Sequence, residues 1–224
     1  MKKFILLNIT ICDWLCRKYP NFFGDYNNNY SKHLITRIQK IIDINSNSKI
    51  LEVGGIDRPL LKKTNYYKYV GLDIEKNEKC NQLYDQFMVQ SIEDKINDKF
   101  NLIFSLTLLE HVKNNKKSLR NIYNALEDNG QTIHYFPSKN HYYSLILRLV
   151  GPDLQRFLLK KLRPNSKSNG YPAFFNLCSY SEIYEEMNKI GFKDIEIKVF
   201  YKATNYFSFF VPFFFNNCIS RKYS

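Results

Sequence analysis

Two carboxylates close short apolar runs, and their placement suggests a chemistry. Ile50, Leu51 and Val53 surround Glu52 and lead straight into Gly54-Gly55; the next apolar run, Tyr69, Val70 and Leu72, ends at Asp73. A strand, a glycine turn, a crossover and a second strand ending in an acid form the start of a nucleotide-type site. Glycines let backbone approach a ligand closely, and the second acid is placed to accept hydrogen bonds from ribose hydroxyls. A carboxylate at the carboxyl end of a parallel strand is costly to bury unless something binds it. Glu52 and Asp73 are therefore read as binding groups ahead of structural turn acids. Three groups could move a proton: His111, which follows Leu109-Glu110, and His141 with Tyr142, just past a later strand. A packing role at the start of a helix is the competing reading of His111. His134 reads as a packed residue inside a strand.

The elements that would position these groups follow from periodicity. Leu34, Ile35, Ile38, Ile41 and Ile42 recur at helical spacing, with Ser31 as the N-cap. Strands are expected at 49–53, 68–73, 84–89 and 100–106; the last is apolar apart from Asn101 and Ser105, as suits a strand covered on both faces. Leu119, Ile122, Tyr123 and Leu126 line a helix ended by Gly130, and a fifth strand at 131–136 stops at Pro137. Ser179 and Glu182 have capping-box spacing before a helix lined by Ile183, Met187 and Ile190 and closed by Gly191. Ile195, Ile197 and Val199 then alternate with Glu196 and Lys198, which predicts a sixth strand over 193–200. Strands alternating with helices give an α/β fold with a mostly parallel, doubly wound sheet. The interval 137–179 exceeds a βα loop and is read as an inserted lid over the carboxyl edge of the sheet.

At 224 residues the chain holds one α/β domain, placed at 31–224 after an N-terminal segment 1–30, with an apolar tail at 203–224. The net charge of +12 fits an anionic partner, but no dense basic run carries it. The accompanying wealth of Asn, Ile, Tyr and Phe makes compositional bias the larger part. The five cysteines form no C-x-x-C pair, so reduced cytoplasmic thiols are the simplest reading and no metal site is signalled. Asp13 interrupts the apolar N-terminal stretch and no small-residue cleavage site follows, which argues against a signal peptide. No run reaches the ~18 apolar residues that span a bilayer. The stretch 142–163 sets Leu145, Leu149 and Phe157 beside Arg148, Arg156, Lys160 and Lys161. With the aromatic tail 206–215 it suggests peripheral membrane contact; a cap over the site and core packing are the alternatives.

The ordered motifs resemble those of class I S-adenosylmethionine-dependent methyltransferases of the small-molecule type, similar to those of surface-polysaccharide biosynthesis. ILEVGG looks like their first motif, VGLDI like their second, FNLIFSLTLLEHV like their fourth-strand motif, and NALEDNGQTIHYFP like the following helix, turn and strand. The resemblance covers about residues 31–202 and implies a Rossmann-like fold with S-adenosylmethionine as cofactor. It assigns Glu52, Gly54 and Gly55 to the methionine end of the cofactor, Asp73 and Ile74 to the ribose, and Ser91, Ile92, Ser105 and Leu106 to the rest of its pocket. In the resembled motif the Leu109-Glu110-His111 segment mainly shapes the cofactor pocket and packs the helix start, while His141 and Tyr142 would face the acceptor; His111, His141 and Tyr142 are the candidate catalytic groups. Three departures stand out. Ile56, Asp57 and Arg58 replace the family's later glycines, Ser91-Ile92 stand where an Asp often binds adenine, and no seventh strand is visible after residue 202. The implied activity is methylation of a small molecule, a sugar or lipid-linked saccharide, without a metal. An RNA methyltransferase and a non-catalytic cofactor-binding protein are the alternatives; nucleic acid is disfavoured because Ser105-Leu106-Thr107 replaces an amino-methylation motif and no RNA-binding module is added.

Overall fold

A computed structural model describes residues 2–19, 30–44, 48–56, 58–141, 171–199 and 210–212, with isolated positions between 144 and 157. The chain divides into two compact units, one formed by 30–152 with 171–197, the other by 1–29, 153–170 and 198–224.

The larger unit contains α2 (Tyr30–Ile44), β1 (Lys49–Val53), β2 (Lys68–Asp73), the short α3 (Cys80–Leu83), β3 (Gln86–Val89), β4 (Phe100–Leu106), α4 (Asn115–Ala125), β5 (Leu126–Tyr135) and α5 (Tyr180–Ile190). The strands form one sheet in the order β3-β2-β1-β4-β5, and every pairing is parallel. This is the doubly wound, Rossmann-like arrangement that the alternation of elements predicts. Period-two alternation splits β1 between two cores. Leu51 and Val53 pack with Ile103, Leu119 and Ile122 on the face covered by α4 and α5. Ile50 packs with Tyr69, Leu102 and Phe104 against Leu34, Ile38 and Ile42 of α2. Glu52 shares the Ile50 face.

Several boundaries differ from the sequence reading. α2 begins at Tyr30, so Ser31 lies inside its first turn and cannot be the N-cap. β3 begins at Gln86; Tyr84 precedes it and is fully buried. α4 ends at Ala125, because Leu126 already pairs with Phe100. Gly130 therefore does not end a helix. It sits where the β4–β5 register slips, and a Cβ there would lie 3.0 Å from the Phe100 carbonyl oxygen. Ser179 is the N-cap of α5, but its hydroxyl donates to the Glu182 carboxylate at 2.6 Å, and Glu182 also pairs with Lys139. The two box side chains bond each other and make no reciprocal cap.

The predicted sixth strand is the largest difference. Among the described residues, 193–199 pair with no strand. The alternation survives in part as burial: Ile195 and Ile197 are half-buried and Glu196 and Lys198 exposed, but Val199 is 52% exposed. Alternation specifies two faces, whereas a strand also needs a neighbour's free edge, and a positive φ of 53° at Asp194 turns the backbone out of extended geometry at the start of the run.

In the smaller unit the described residues consist chiefly of α1 (Lys2–Lys18), a helix where the sequence predicts only an N-terminal segment. Cys12, Cys16, Cys80 and Cys178 are buried. Among the described residues no helix is long and apolar enough to cross a membrane. The tail 203–224, apart from residues 210–212, and most of the proposed interfacial stretch lie outside the described residues, as do Tyr142, Arg156, Lys160 and Lys161.

Candidate active site

Register brings the carboxyl ends of three strands together. Val53 pairs with Leu72 on one side and Ser105 on the other. Gly54, Asp73 and Leu106 therefore leave the sheet side by side where the strand order reverses, the place at which open α/β sheets bind ligands. Gly54 adopts φ 89°, donates its N–H to the Leu72 carbonyl at 2.9 Å and packs so closely on Leu108 that a Cβ would lie 3.1 Å from that side chain.

Glu52 is 2% exposed and is held by the protein itself. Its carboxylate accepts from the Tyr69 hydroxyl, from the Tyr84 hydroxyl at 3.1 Å and from the Leu60 N–H at 3.1 Å. Burial pushes its pKa from 4.5 to about 7 against those three donors. Burial and the Glu52 charge raise both tyrosine hydroxyls, so they stay protonated donors. The sequence reading gives this acid to the methionine end of a cofactor; in the fold its partners are two core tyrosines and a backbone amide. Gly55 belongs to the same cluster. A Cβ there would sit within contact distance of the Tyr84 hydroxyl and 2.7 Å from the Glu52 carboxyl carbon.

Asp73 lies half-buried at the end of β2. One oxygen accepts the Glu75 N–H at 3.0 Å. Burial raises its pKa, opposed by the N–H groups of Glu75 and Ile74. A carboxylate has about four acceptor positions, so it retains capacity for a vicinal diol. The Gln90 N–H donates to the Asp73 carbonyl at 3.0 Å and keeps the following turn beside it. In that turn Ser91 is half-buried and its hydroxyl accepts the Glu93 N–H, while the Ile92 side chain is in the core. Ile74 is 57% exposed.

Ser105 departs from its expected place in the pocket. It is fully buried, and its hydroxyl meets His134 Nδ1 at 2.8 Å. Thr132 donates to the Ile103 carbonyl, so at 2.6 Å it accepts from His134 Nε2–H, and His134 Nδ1 accepts from Ser105. Burial pushes the His134 pKa down to about 4, so the ring is neutral and this row closes inside the sheet. Leu106, half-buried, remains at the strand end.

The segment 171–178 returns over the end of β4, a placement that periodicity could not show. Phe174 and Phe175 donate their N–H groups to the Glu110 carbonyl at 2.7 and 3.0 Å, and Lys139 N–H donates to the Cys178 carbonyl at 2.7 Å. Asn115, fully buried, donates to the carbonyls of Leu109 and Asn176. His111 Nδ1 lies 3.1 Å from the Pro172 carbonyl. A carbonyl only accepts, so Nδ1 carries the hydrogen and Nε2 keeps its lone pair. Burial lowers the His111 pKa, against the carbonyls of Pro172 and Tyr171, which leaves the ring neutral near pH 7. Tyr171 joins the two halves of the site. Its ring meets His111 edge-on at 6.4 Å, and burial together with a hydrogen bond to Glu75 and the charges of Glu75 and Asp73 raise its hydroxyl pKa. His141 is half-buried, its pKa lowered by burial; Tyr142 is among the undescribed residues.

Glu110 is the least satisfied group here. It is 4% exposed, its Oε2 has no hydrogen-bond partner, and burial pushes its pKa to about 8. Its Oε1 lies 3.8 Å from His111 Nε2, but both groups are driven toward their neutral forms, so this is no ion pair at neutral pH. Neither spacing nor motif marks Tyr84, Asn115 or Tyr171 as part of the site, or gives Tyr69 and Glu110 a role in it. A hollow of about 480 Å³ lined by Thr64, Asn65, Tyr67, Lys68 and Asp85 lies at the opposite, amino end of β2 and holds none of these groups.

A family model described as a methyltransferase domain matches residues 26–197. The chain belongs to this methyltransferase family. It is a methyltransferase, and S-adenosylmethionine is its cofactor. The half-buried Asp73 with spare acceptor capacity, beside the left-handed Gly54 turn at the reversal point, fits that group. Among solved structures, the carbon methyltransferase CurJ is 17% identical with a TM-score of 0.52, over 75% of this chain and 49% of that one. The N-methyltransferase NodS of Bradyrhizobium japonicum is 9% identical with a TM-score of 0.45, over 73% and 83%. An S-adenosylmethionine-dependent methyltransferase of Clostridium acetobutylicum is 19% identical with a TM-score of 0.41, over 62% and 61%. The likeness to CurJ bears on the fold alone. No curated protein sequence matches this one.

Proposed function

We propose that this methyltransferase methylates a hydroxyl of a sugar, free or carried on a lipid-linked saccharide. The observation that carries the reading is His111, a neutral ring with Nδ1–H tied to the Pro172 carbonyl and the Nε2 lone pair retained beside Tyr171. The cofactor supplies an electrophilic methyl group. Asp73 holds its ribose, Gly54 shapes the turn beneath it, and His111 Nε2 accepts the hydroxyl proton as the acceptor oxygen is methylated. Alignment of the two reactants contributes the larger share of the rate. Tyr171, whose hydroxyl donates to Glu75, offers an aromatic wall for a sugar ring. The half-exposed Leu145 and exposed Leu149, flanking an exposed Arg148, suit an acceptor with an apolar anchor.

Calorimetry and methyl-transfer assays test this. Wild type binds S-adenosylmethionine, Asp73→Ala weakens binding on the order of tenfold or more through loss of charge-assisted bonds, and labelled methyl groups appear on glycans or glycolipids. His111→Gln lowers kcat by about a hundredfold, the low end of a general-base contribution, with cofactor affinity retained. Unchanged binding in Asp73→Ala removes the ribose assignment. Label that appears on RNA and not on saccharide removes the acceptor assignment.

A further inference from the structure

Helix α1 hides its more polar side and exposes its apolar one. Ile5, Asn8, Cys12 and Cys16 are buried, whereas Phe4, Leu7, Ile11 and Trp14 are 55%, 59%, 38% and 52% exposed. Steps of three and four residues put the exposed group on one stripe, about 15 Å long at the helical rise. The buried side is already a completed contact: Asn8 donates to the Phe4 carbonyl and accepts the Val211 N–H at 3.0 Å. The stripe therefore faces away from that packing. A contiguous exposed apolar face of this kind marks an interaction surface.

The charges on the helix select the partner. Lys2, Lys3, Arg17 and Lys18 stand at its two ends, with Asp13 the single acid between them. No acid stands in the first turn, although the helix dipole favours one there. Lysines at that end oppose the dipole, and an external phosphate would relieve both. At the other end the Lys18 ammonium lies 4.7 Å from the Trp14 ring centroid, so an indole and a cation share the boundary of the stripe. An apolar stripe bracketed by cations, with an indole at one end, suits a helix lying among anionic headgroups.

We propose that α1 docks this protein on an anionic membrane surface, with Phe4, Leu7, Ile11 and Trp14 at the headgroup boundary and Lys3, Arg17 and Lys18 meeting lipid phosphates. The proposal goes beyond the acceptor reading and stands on α1 alone, so its test involves no methyl transfer. Trp14 is the single tryptophan of the chain, which makes it a direct probe. The full-length protein is titrated with phosphatidylcholine vesicles with and without phosphatidylglycerol. With the anionic vesicles Trp14 emission shifts to the blue, acrylamide quenching falls and the protein co-sediments; without phosphatidylglycerol it does not. Leu7→Asp combined with Ile11→Asp abolishes the shift. Arg17→Gln combined with Lys18→Gln weakens partitioning on the order of tenfold. S-adenosylmethionine binding by each variant shows that it is folded. Unshifted emission with anionic vesicles overturns the proposal. So does lipid-independent protection that rises with protein concentration, which would make a second copy of the chain the occupant.

Discussion

Replacing Glu110 with Gln should flatten a pH dependence of folding that originates in one side chain. In the folded chain the carboxyl is 4% exposed, and burial raises its pKa from 4.5 to about 8. An unfolded chain loses that proton near 4.5, whereas the folded chain keeps it to about 8. The contribution to stability is therefore fully present below pH 4.5 and is lost as pH rises through 8. Within the window each pH unit costs about 1.4 kcal/mol, so the whole interval amounts to roughly 5 kcal/mol. Gln has no such titration. Its amide leaves buried donors to satisfy, a cost of about 1–3 kcal/mol, but that offset does not change with pH. Glu52 titrates in the same range in both proteins and cancels from the difference. Urea unfolding of wild type and Glu110→Gln, measured without cofactor across pH ~5 to ~8, should show the variant gaining on wild type by about 1.4 kcal/mol per unit. A difference that stays level across this range refutes the argument, because Glu110 would then be ionised in the folded chain or titrate at its unfolded value.

Gly55→Ala should destabilise the fold by roughly 1–3 kcal/mol, since its Cβ would press on the buried Tyr84 hydroxyl and Glu52 carboxyl; a urea midpoint equal to wild type would contradict this. Tyr171→Phe removes the hydroxyl that donates to Glu75. It should weaken S-adenosylmethionine affinity by about threefold to tenfold and leave the unfolding midpoint alone; calorimetry with unchanged affinity in both Tyr171→Phe and Tyr171→Ala would remove Tyr171 from the site.

Some of this molecule is written locally and some is not. Apolar runs at 49–53, 68–73 and 100–106 become β1, β2 and β4 with the expected ends, because a strand buried on both faces must be nearly continuously apolar. The acids and glycines at those ends fix where the chain can turn, and so mark the region of the site. Pairing is a different matter. The alternation of Ile195 and Ile197 with Glu196 and Lys198 is preserved as burial, yet the segment joins no ladder, since no local pattern states which edge is open. Glu52 shows the same division. Its type and position predict a partner for a buried acid, but only the packing of Tyr69 from β2 and Tyr84 from before β3 decides that the partner is internal. Tyr171 lies in a stretch without periodicity and reaches Glu75 and His111 because its neighbours are tied just past β4, Pro172 to the His111 ring and Phe174 and Phe175 to the Glu110 carbonyl. Periodicity records which face of an element is buried; contacts between residues distant in the chain depend on closing the loops between them, and that information exists only in the assembled fold.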